Sequence, residues 1–267
     1  MSPINADEID INSSALSLLL RGVTGVGKTI AACGKRFRPV YVFDCDQRMA
    51  SVINYYKRLD GHAKGIYYDT FSMGMHFDKL DKQMDYLAAH KEYQTVSVAT
   101  LTAYIHIVLA HILQFKVGAS AKPGEKQKGK KIADINVNSI EDYNAEDAAL
   151  IFELIGFLKN LQAQGVNVIL EAHLTPIEYR DLEGNSRTVL ETLTKGKKAP
   201  ASIPGYFDEV YYLKKEHAGP VVGYGEEKYL VSTTGDFSVD AKTSRGVTSF
   251  NWTGQDFSEI LMKQLGR

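Results

Sequence analysis

Short apolar runs alternate with segments of helical periodicity from residue 15 to residue 173. Runs of strand length occupy residues 15–21, 40–45, 95–100 and 166–173, and a weaker one occupies residues 65–70. Continuous apolar runs of about four to eight residues are typical of strands that are buried on both faces, as in a parallel sheet. The alternation therefore predicts repeated strand–helix–strand units.

Helices are predicted between these strands. One spans residues 27–36, and another follows the strand at 95–100 and ends near Phe115. The clearest helix begins at Asn144, a residue type that caps helix N-termini, and ends at Gly165. Its apolar residues recur at helical spacing: Leu150, Ile151, Leu154, Ile155, Leu158 and Leu161. This stripe predicts a helix that packs against the sheet.

Beyond the fourth long run the pattern changes to strands separated by turns. Strands are predicted at residues 208–213, 228–233 and 237–242, and the amphipathic segment 254–267 predicts a C-terminal helix. The whole chain of 267 residues is of a size that suits one domain. We therefore expect a single α/β domain with an N-terminal extension over residues 1–14, a mostly parallel central sheet and C-terminal antiparallel strands.

Composition places the chain among ordinary globular proteins. Hydrophobic residues make up 44% of it, charged residues make up 24%, and the net charge is −1. These values exclude an intrinsically disordered chain and a polycation, so any contact with nucleic acid must be local. The two cysteines, Cys33 and Cys45, form neither a disulfide framework nor a metal-binding spacing. Together with an acidic N-terminus that has no signal-peptide core, they favour a reduced, cytoplasmic setting.

Residues 95–115 raise the question of a membrane span, because they contain no Asp, Glu, Lys or Arg. A spanning helix needs about 20 predominantly apolar residues. This stretch, however, includes His106, His111 and Gln114, and it changes from a β-branched start to a helical tail. We therefore expect a buried strand followed by a buried helix, and no membrane segment.

The segment between the first strand and the first helix carries the strongest chemical signal. Its sequence, RGVTGVGKT, fits the phosphate-loop pattern, whereas the G-x-G-x-x-G pattern of dinucleotide-binding proteins does not occur. Glycines let successive backbone N–H groups approach phosphate oxygens without a Cβ in the way. Lys28 is expected to reach the β- and γ-phosphates, and the Thr29 hydroxyl is expected to bind magnesium. The residues predicted to hold ATP and Mg²⁺ are Gly22, Val23, Thr24, Gly25, Val26, Gly27, Lys28 and Thr29.

A phosphate-loop site normally adds an acidic residue at the end of a buried strand, where it helps to hold the magnesium. Asp44 and Asp46 occur at the end of the second strand, although a solvated turn is the alternative explanation for both. The strand at 95–100 has Ala99 where the acid is expected. Glu171 is a further candidate acid, but side-chain alternation along its strand leaves its direction open.

With these motifs in this order, the chain resembles RecA-fold ATPases, and among them the small phage-encoded RecA-core proteins associated with single-strand annealing. The resemblance covers roughly residues 15–250 and is carried in order by RGVTGVGKT, VYVFDCDQRMA, TVSVATLT, NVILEAH and DAKTSRG. It implies that Asp46 is the catalytic carboxylate that polarises the attacking water. It also implies that His173 senses the γ-phosphate, for which a polar cap on a strand end is the alternative. Lys242 and Arg245 would then reach the nucleotide of a neighbouring subunit in a ring or filament, or would simply be surface charges.

Ala99 departs from the family pattern. We therefore hypothesise that ATP binding is retained and that hydrolysis is slow. Since the resemblance places the strand of Asp46 beside that of Ala99, Asp44 or Asp46 is expected to replace part of the missing acid around the magnesium.

Two groups of lysines are candidates for contact with a DNA backbone. The first lies in a long polar segment, residues 116–143, for which the sequence predicts a mobile, lysine-rich loop. The second follows His173, where the resembled fold places another DNA-binding loop. The lysines are Lys122, Lys126, Lys128, Lys130, Lys131, Lys195, Lys197 and Lys198. A solvated charge run is the alternative, and no interleaved aromatic residue indicates base stacking in the first segment.

These observations favour a magnesium-dependent ATPase that acts on single-stranded DNA in phage recombination or annealing. The alternative is an assembly or regulatory protein in which ATP is a structural switch and no DNA is bound, which Ala99 and the near-neutral charge favour. A helicase or loader motor is less consistent with the sequence, because no second domain is predicted to couple hydrolysis to movement.

Overall fold

The computed structural model describes seven segments of the chain, which are residues 14–72, 77–119, 140–180, 184–194, 202–218, 226–236 and 238–267. The helices within them are α1 (Lys28–Ala32), α2 (Met49–Asp60), α3 (Phe77–Ala89), α4 (Leu101–Ala119), α5 (Ile140–Ala163) and α6 (Phe257–Gln264). Short 3₁₀ turns occupy Lys35–Phe37 and Ile203–Tyr206.

The strands in the first two thirds of the chain are β1 (Ser17–Arg21), β2 (Val40–Asp44), β3 (Ile66–Thr70), β4 (Thr95–Ala99) and β5 (Asn167–Ala172). Six more follow: β6 (Leu174–Arg180), β7 (Ser186–Thr192), β8 (Glu209–Ala218), β9 (Glu226–Ser232), β10 (Lys242–Thr243) and β11 (Phe250–Asn251).

Nine of these strands form one sheet in the order β11-β9-β8-β1-β5-β4-β2-β3, with β10 beside β8. Strands β1, β2, β3, β4, β5 and β8 pair with one another in parallel, whereas β9, β10 and β11 pair antiparallel. β6 and β7 form a separate antiparallel hairpin. This topology confirms the predicted α/β fold class, with a mostly parallel central sheet and C-terminal antiparallel strands.

Helices cover both faces of the sheet. Apolar side chains of α3, α4 and α5 pack on one face, and those of α1, α2 and α6 pack on the other. Every residue of β1, β2, β4 and β5 is buried. These four strands therefore have continuous apolar runs in the sequence, as strands buried on both faces do.

Several predicted boundaries are wrong. The helix predicted over 27–36 is the short helix α1 followed by a 3₁₀ turn, because Gly34 interrupts it at the point where α6 packs. A Cβ on Gly34 would lie 2.5 Å from the Cβ of Ser258. α5 begins at Ile140, ahead of the predicted cap Asn144. The two ends of the predicted loop, residues 116–119 and 140–143, are therefore helical. Its central residues, 120–139, lie outside the described residues.

Some elements of the structure were missed by the sequence analysis. Helices α2 and α3 and the hairpin β6–β7 were not predicted. The strand predicted at 237–242 is reduced to β10 and to a single bridge between Leu190 and Val239. None of the helices in the described part of the chain combines the length and apolarity that crossing a membrane requires.

Candidate nucleotide-binding site

The phosphate loop connects the buried end of β1 to the start of α1. Gly22 donates its N–H to the carbonyl of Ala172 at 3.2 Å, and a Cβ at this position would lie 2.5 Å from the carbonyl oxygen of Leu213. Gly25 and Gly27 have φ values of 85° and 86°, in the left-handed region that favours glycine. The loop therefore requires glycine both for close packing and for its curvature.

A cavity of about 210 Å³ lies beside this loop. Among the residues that line it are Lys28, Thr29, Asp46, Glu171 and His173, all of which the sequence had indicated as candidates. They come from α1, from the end of β2 and from β5, which are far apart in the sequence. They meet because the carboxyl ends of parallel strands lie at one edge of a sheet, where α/β proteins bind their ligands.

Lys28 is 5% exposed, and its ammonium group lies within the loop. It donates to the carbonyl oxygens of Gly22 at 2.9 Å and Val23 at 3.0 Å, and its Nζ lies 3.3 Å from Nδ1 of His173. Burial lowers the pKa of Lys28, and the negative charges of Glu171 and Asp46 oppose that effect. A buried cation held by uncharged acceptors is suited to exchange those contacts for phosphate oxygens.

His173 follows β5 directly and is half-buried. Burial, reinforced by the positive charges of Lys28 and Arg48, lowers the pKa of His173 to about 4. The imidazole is therefore neutral near pH 7. Since an ammonium group only donates, Nδ1 accepts from Lys28 and the ring proton is on Nε2. His173 thus positions the lysine without adding charge to the cavity.

Asp46 lies just after β2 with its carboxylate largely buried. Oδ2 lies 3.6 Å from Nε of Arg48, whereas Oδ1 is buried and has no hydrogen-bond partner among the described residues. Burial raises the pKa of Asp46 to about 6, against the opposing effect of Arg48. A buried polar atom without a partner is costly in a folded protein, and functional sites are where such atoms are retained. Oδ1 is therefore available to a water or ligand in the cavity.

The Asp46→Asn variant is expected to melt at a higher temperature than the wild type at pH 8, and the gain should shrink at pH 5. The folded-state pKa of Asp46 is raised, so its contribution to stability is present at low pH and is lost as the pH rises through about 6. Allowing for partial exposure, removing the charge should be worth about 1 kcal/mol, or about 2–4 °C. Thermal unfolding at both pH values measures this. Asp85→Asn, an exposed change on α3, is the charge control, and an equal shift at both pH values would contradict the prediction.

Glu171 is fully buried on β5 and is directed toward α1. Its Oε2 accepts a hydrogen bond of 2.7 Å from the Thr29 hydroxyl, and its Oε1 accepts one of 3.4 Å from the Ser97 hydroxyl. Burial raises the pKa of Glu171, and the two hydroxyl donors and Lys28 oppose that effect. The direction that the sequence left open is therefore toward the phosphate loop and the Thr29 hydroxyl.

Asp44, predicted to bind metal, is not in the lining of the cavity. It is 2% exposed, and its oxygens accept from the backbone N–H of Arg48 at 2.9 Å and from the Thr70 hydroxyl at 3.2 Å. Ala99 is its partner on β4, as expected from the predicted adjacency of the two strands. The Ala99 carbonyl accepts from the N–H groups of Cys45 and Asp46. Asp44 therefore stabilises the turn that carries Asp46.

No family model matches the chain. No curated protein matches it either. Among solved structures, it is similar to a KaiC-like protein from the hyperthermophilic archaeon Pyrococcus horikoshii OT3. The two chains are 11% identical, the alignment covers 88% of this chain and 84% of the other, and the TM-score is 0.46. A similarity at this level leaves the function to be inferred from the site itself.

Neither of the proposed trans residues, Lys242 and Arg245, is in the lining of the cavity. Lys242 is exposed on β10. The guanidinium of Arg245 donates to the backbone and hydroxyl of Ser14 and to the carbonyl of Ala15, in the same chain. A role for Arg245 in a neighbouring subunit would require these bonds to be exchanged.

The proposed DNA-contacting lysines all lie outside the described residues. They are Lys122, Lys126, Lys128, Lys130, Lys131, Lys195, Lys197 and Lys198.

Sequence analysis did not identify several residues that line the cavity, among them Arg48 and Tyr229. The half-exposed side chain of Arg48 forms an ion pair with Asp46, and its position two residues after Asp46 was the available signal. Tyr229 packs against Trp252 with ring centroids 5.4 Å apart, and Trp252 contacts the phosphate loop at Gly27. No local pattern in the sequence links these aromatic residues to the loop.

Proposed function

We propose that the chain binds ATP in this cavity and hydrolyses it, with magnesium, to ADP and phosphate. One observation carries the proposal: the phosphate-loop lysine and a buried carboxylate oxygen without a partner line the same cavity. The first is suited to bind the phosphates and the second to orient a water. Phosphoryl transfer depends chiefly on such positioning and on electrostatic stabilisation.

In the proposed mechanism, Lys28 exchanges its bonds to the loop carbonyls for oxygens of the β- and γ-phosphates. His173 stays neutral and keeps the lysine in place through Nδ1. Asp46 accepts a hydrogen bond from a water, which attacks the γ-phosphorus as the bond to the β–γ bridging oxygen breaks. The proton of that water passes to the carboxylate or to the phosphate product, and ADP leaves with the electron pair of the broken bond.

Magnesium, when bound with the nucleotide, supplies positive charge that offsets the charge of the phosphate oxygens. The donors present fit this ion, since a hydroxyl and a carboxylate oxygen meet at Thr29. Within the described segments, no group of three or more His, Cys, Asp or Glu residues is arranged to hold a metal by itself. Thr29 would therefore bind the ion jointly with the phosphates, as is usual for magnesium in nucleotide sites.

We also propose that the ATPase acts on single-stranded DNA in recombination or annealing, for a phage, and that it works as a ring or filament. The resemblance to RecA-core proteins and the two lysine groups support this proposal. The exposed position of Lys242 is compatible with contact to a neighbouring subunit's nucleotide.

Phosphate release from MgATP, with and without single-stranded DNA, tests both proposals. We expect slow basal turnover that rises when DNA is added. Changing Lys126, Lys128, Lys130 and Lys131 together to Ala should remove the stimulation and leave the DNA-free rate unchanged. The control changes two exposed lysines elsewhere, Lys82 and Lys91, to Ala. Tight ATP binding with no turnover under either condition would instead favour a regulatory protein that uses ATP as a switch.

A further inference from the structure

We infer that Glu171, on β5, supplies the carboxylate that Ala99 does not supply on β4, and that it joins Thr29 in the shell of magnesium when nucleotide is bound. The inference rests on the proposed ATP site and names the acid of that site. It replaces the expectation that Asp44 or Asp46 fulfils this role.

The register of the sheet places the two positions side by side. β4 and β5 are parallel, and Val98 pairs with Leu170. The next residues along the two strands are Ala99 and Glu171, whose side chains therefore leave the same face of the sheet. That face is the one covered by α1, where the carboxylate reaches the Thr29 hydroxyl at 2.7 Å.

Burial of this carboxyl group is not explained by packing alone. Glu171 is 0% exposed, and in the part of the chain that the structure describes its hydrogen bonds come from two hydroxyl groups, with no ion pair. An ionisable group that is removed from water without an ion pair destabilises the fold, and the charge of Lys28 opposes this effect only in part. A divalent cation beside Thr29 would offset that cost.

The small side chain of Ala99 leaves Glu171 as the one acidic residue of this pair of neighbouring strand positions. Ala99 is fully buried and packs with Cys33 and Met49 beneath α1 and α2. An aspartate there, beside Glu171, would place two carboxylates in one buried space, which is unfavourable. The site thus has room for one acid, from either strand. Asp44 does not qualify, because both of its oxygens are engaged by Arg48 and Thr70.

Magnesium-dependent binding of a fluorescent ATP analogue tests the inference without relying on turnover. Affinity is measured in excess EDTA and in excess Mg²⁺. For the wild type we expect Mg²⁺ to tighten binding about tenfold or more, the size of effect that metal-shell groups have on metal affinity. Glu171→Gln should lose most of this gain while keeping its affinity in EDTA. The matched control, Asp44→Asn, removes a buried carboxylate outside the cavity and should keep the gain.

A double variant that moves the acid from β5 to β4 keeps the test valid even if Glu171→Gln alone misfolds. Ala99→Asp combined with Glu171→Gln returns one acid to the site from β4, and we expect it to restore the Mg²⁺-dependent gain. The inference is overturned if Glu171→Gln keeps the full gain, or if Asp44→Asn loses it while Glu171→Gln does not. A wild type that binds no analogue under either condition would instead overturn the proposed function.

Discussion

Replacing Lys28 with alanine is expected to weaken ATP binding at least about 100-fold. The ammonium group is buried in the loop and donates to two carbonyl oxygens, contacts that phosphate oxygens would take over. Hydrogen bonds to charged groups contribute about 1.5–3 kcal/mol each, and 1.4 kcal/mol corresponds to a factor of about ten in affinity.

Isothermal titration of ATP into the wild type and Lys28→Ala measures this effect. Lys35→Ala is the matched control, since this lysine is nearby in sequence but forms an ion pair with Asp60 outside the cavity. The control should bind ATP as the wild type does. If Lys28→Ala binds within about threefold of the wild type, the loop is not the phosphate site.

Replacing Asp46 with asparagine is expected to reduce the rate of ATP hydrolysis by about 10²–10⁴-fold, the usual contribution of a positioned acid or base. The amide has nearly the same shape but cannot accept a proton, and Oδ1 is the cavity's buried acceptor without a partner. ATP affinity should change little, because Asp46 contacts the water rather than the phosphates in the proposed mechanism.

Single-turnover hydrolysis at saturating enzyme separates this effect from binding. Asp85→Asn again controls for net charge. If Asp46→Asn hydrolyses ATP at the wild-type rate while Glu171→Gln does not, then the catalytic carboxylate lies on β5, and Asp46 is only a neighbour of Arg48.

The phosphate loop and the strands around it were predictable because their information is local. Residues 21–29 contain the glycines, the lysine and the threonine in one run, and the flanking apolar residues show the strand and its burial. Four strands buried on both faces gave continuous apolar runs, which the predicted parallel sheet requires. The roles of Asp46 and His173 in the site were assigned only through the resemblance to RecA-fold ATPases, and both residues line the cavity at the edge where the ends of parallel strands meet.

Other features depend on contacts between distant residues, which the sequence does not display. Glu171 points toward α1 because of the strand order β1-β5-β4, and its contact with Thr29 joins residues 142 positions apart. Arg245 is held by Ser14, 231 positions away. The hairpin β6–β7 has few buried residues, so its sequence contains no apolar run that would predict it.

The most direct test of the central claim is a crystal structure with Mg²⁺ and a non-hydrolysable ATP analogue. We expect the γ-phosphate to contact Lys28, the metal to contact the Thr29 hydroxyl with the Glu171 carboxylate in its shell, and a water to lie against Oδ1 of Asp46. An analogue bound elsewhere, or bound here with its terminal phosphate away from Lys28, would contradict the account.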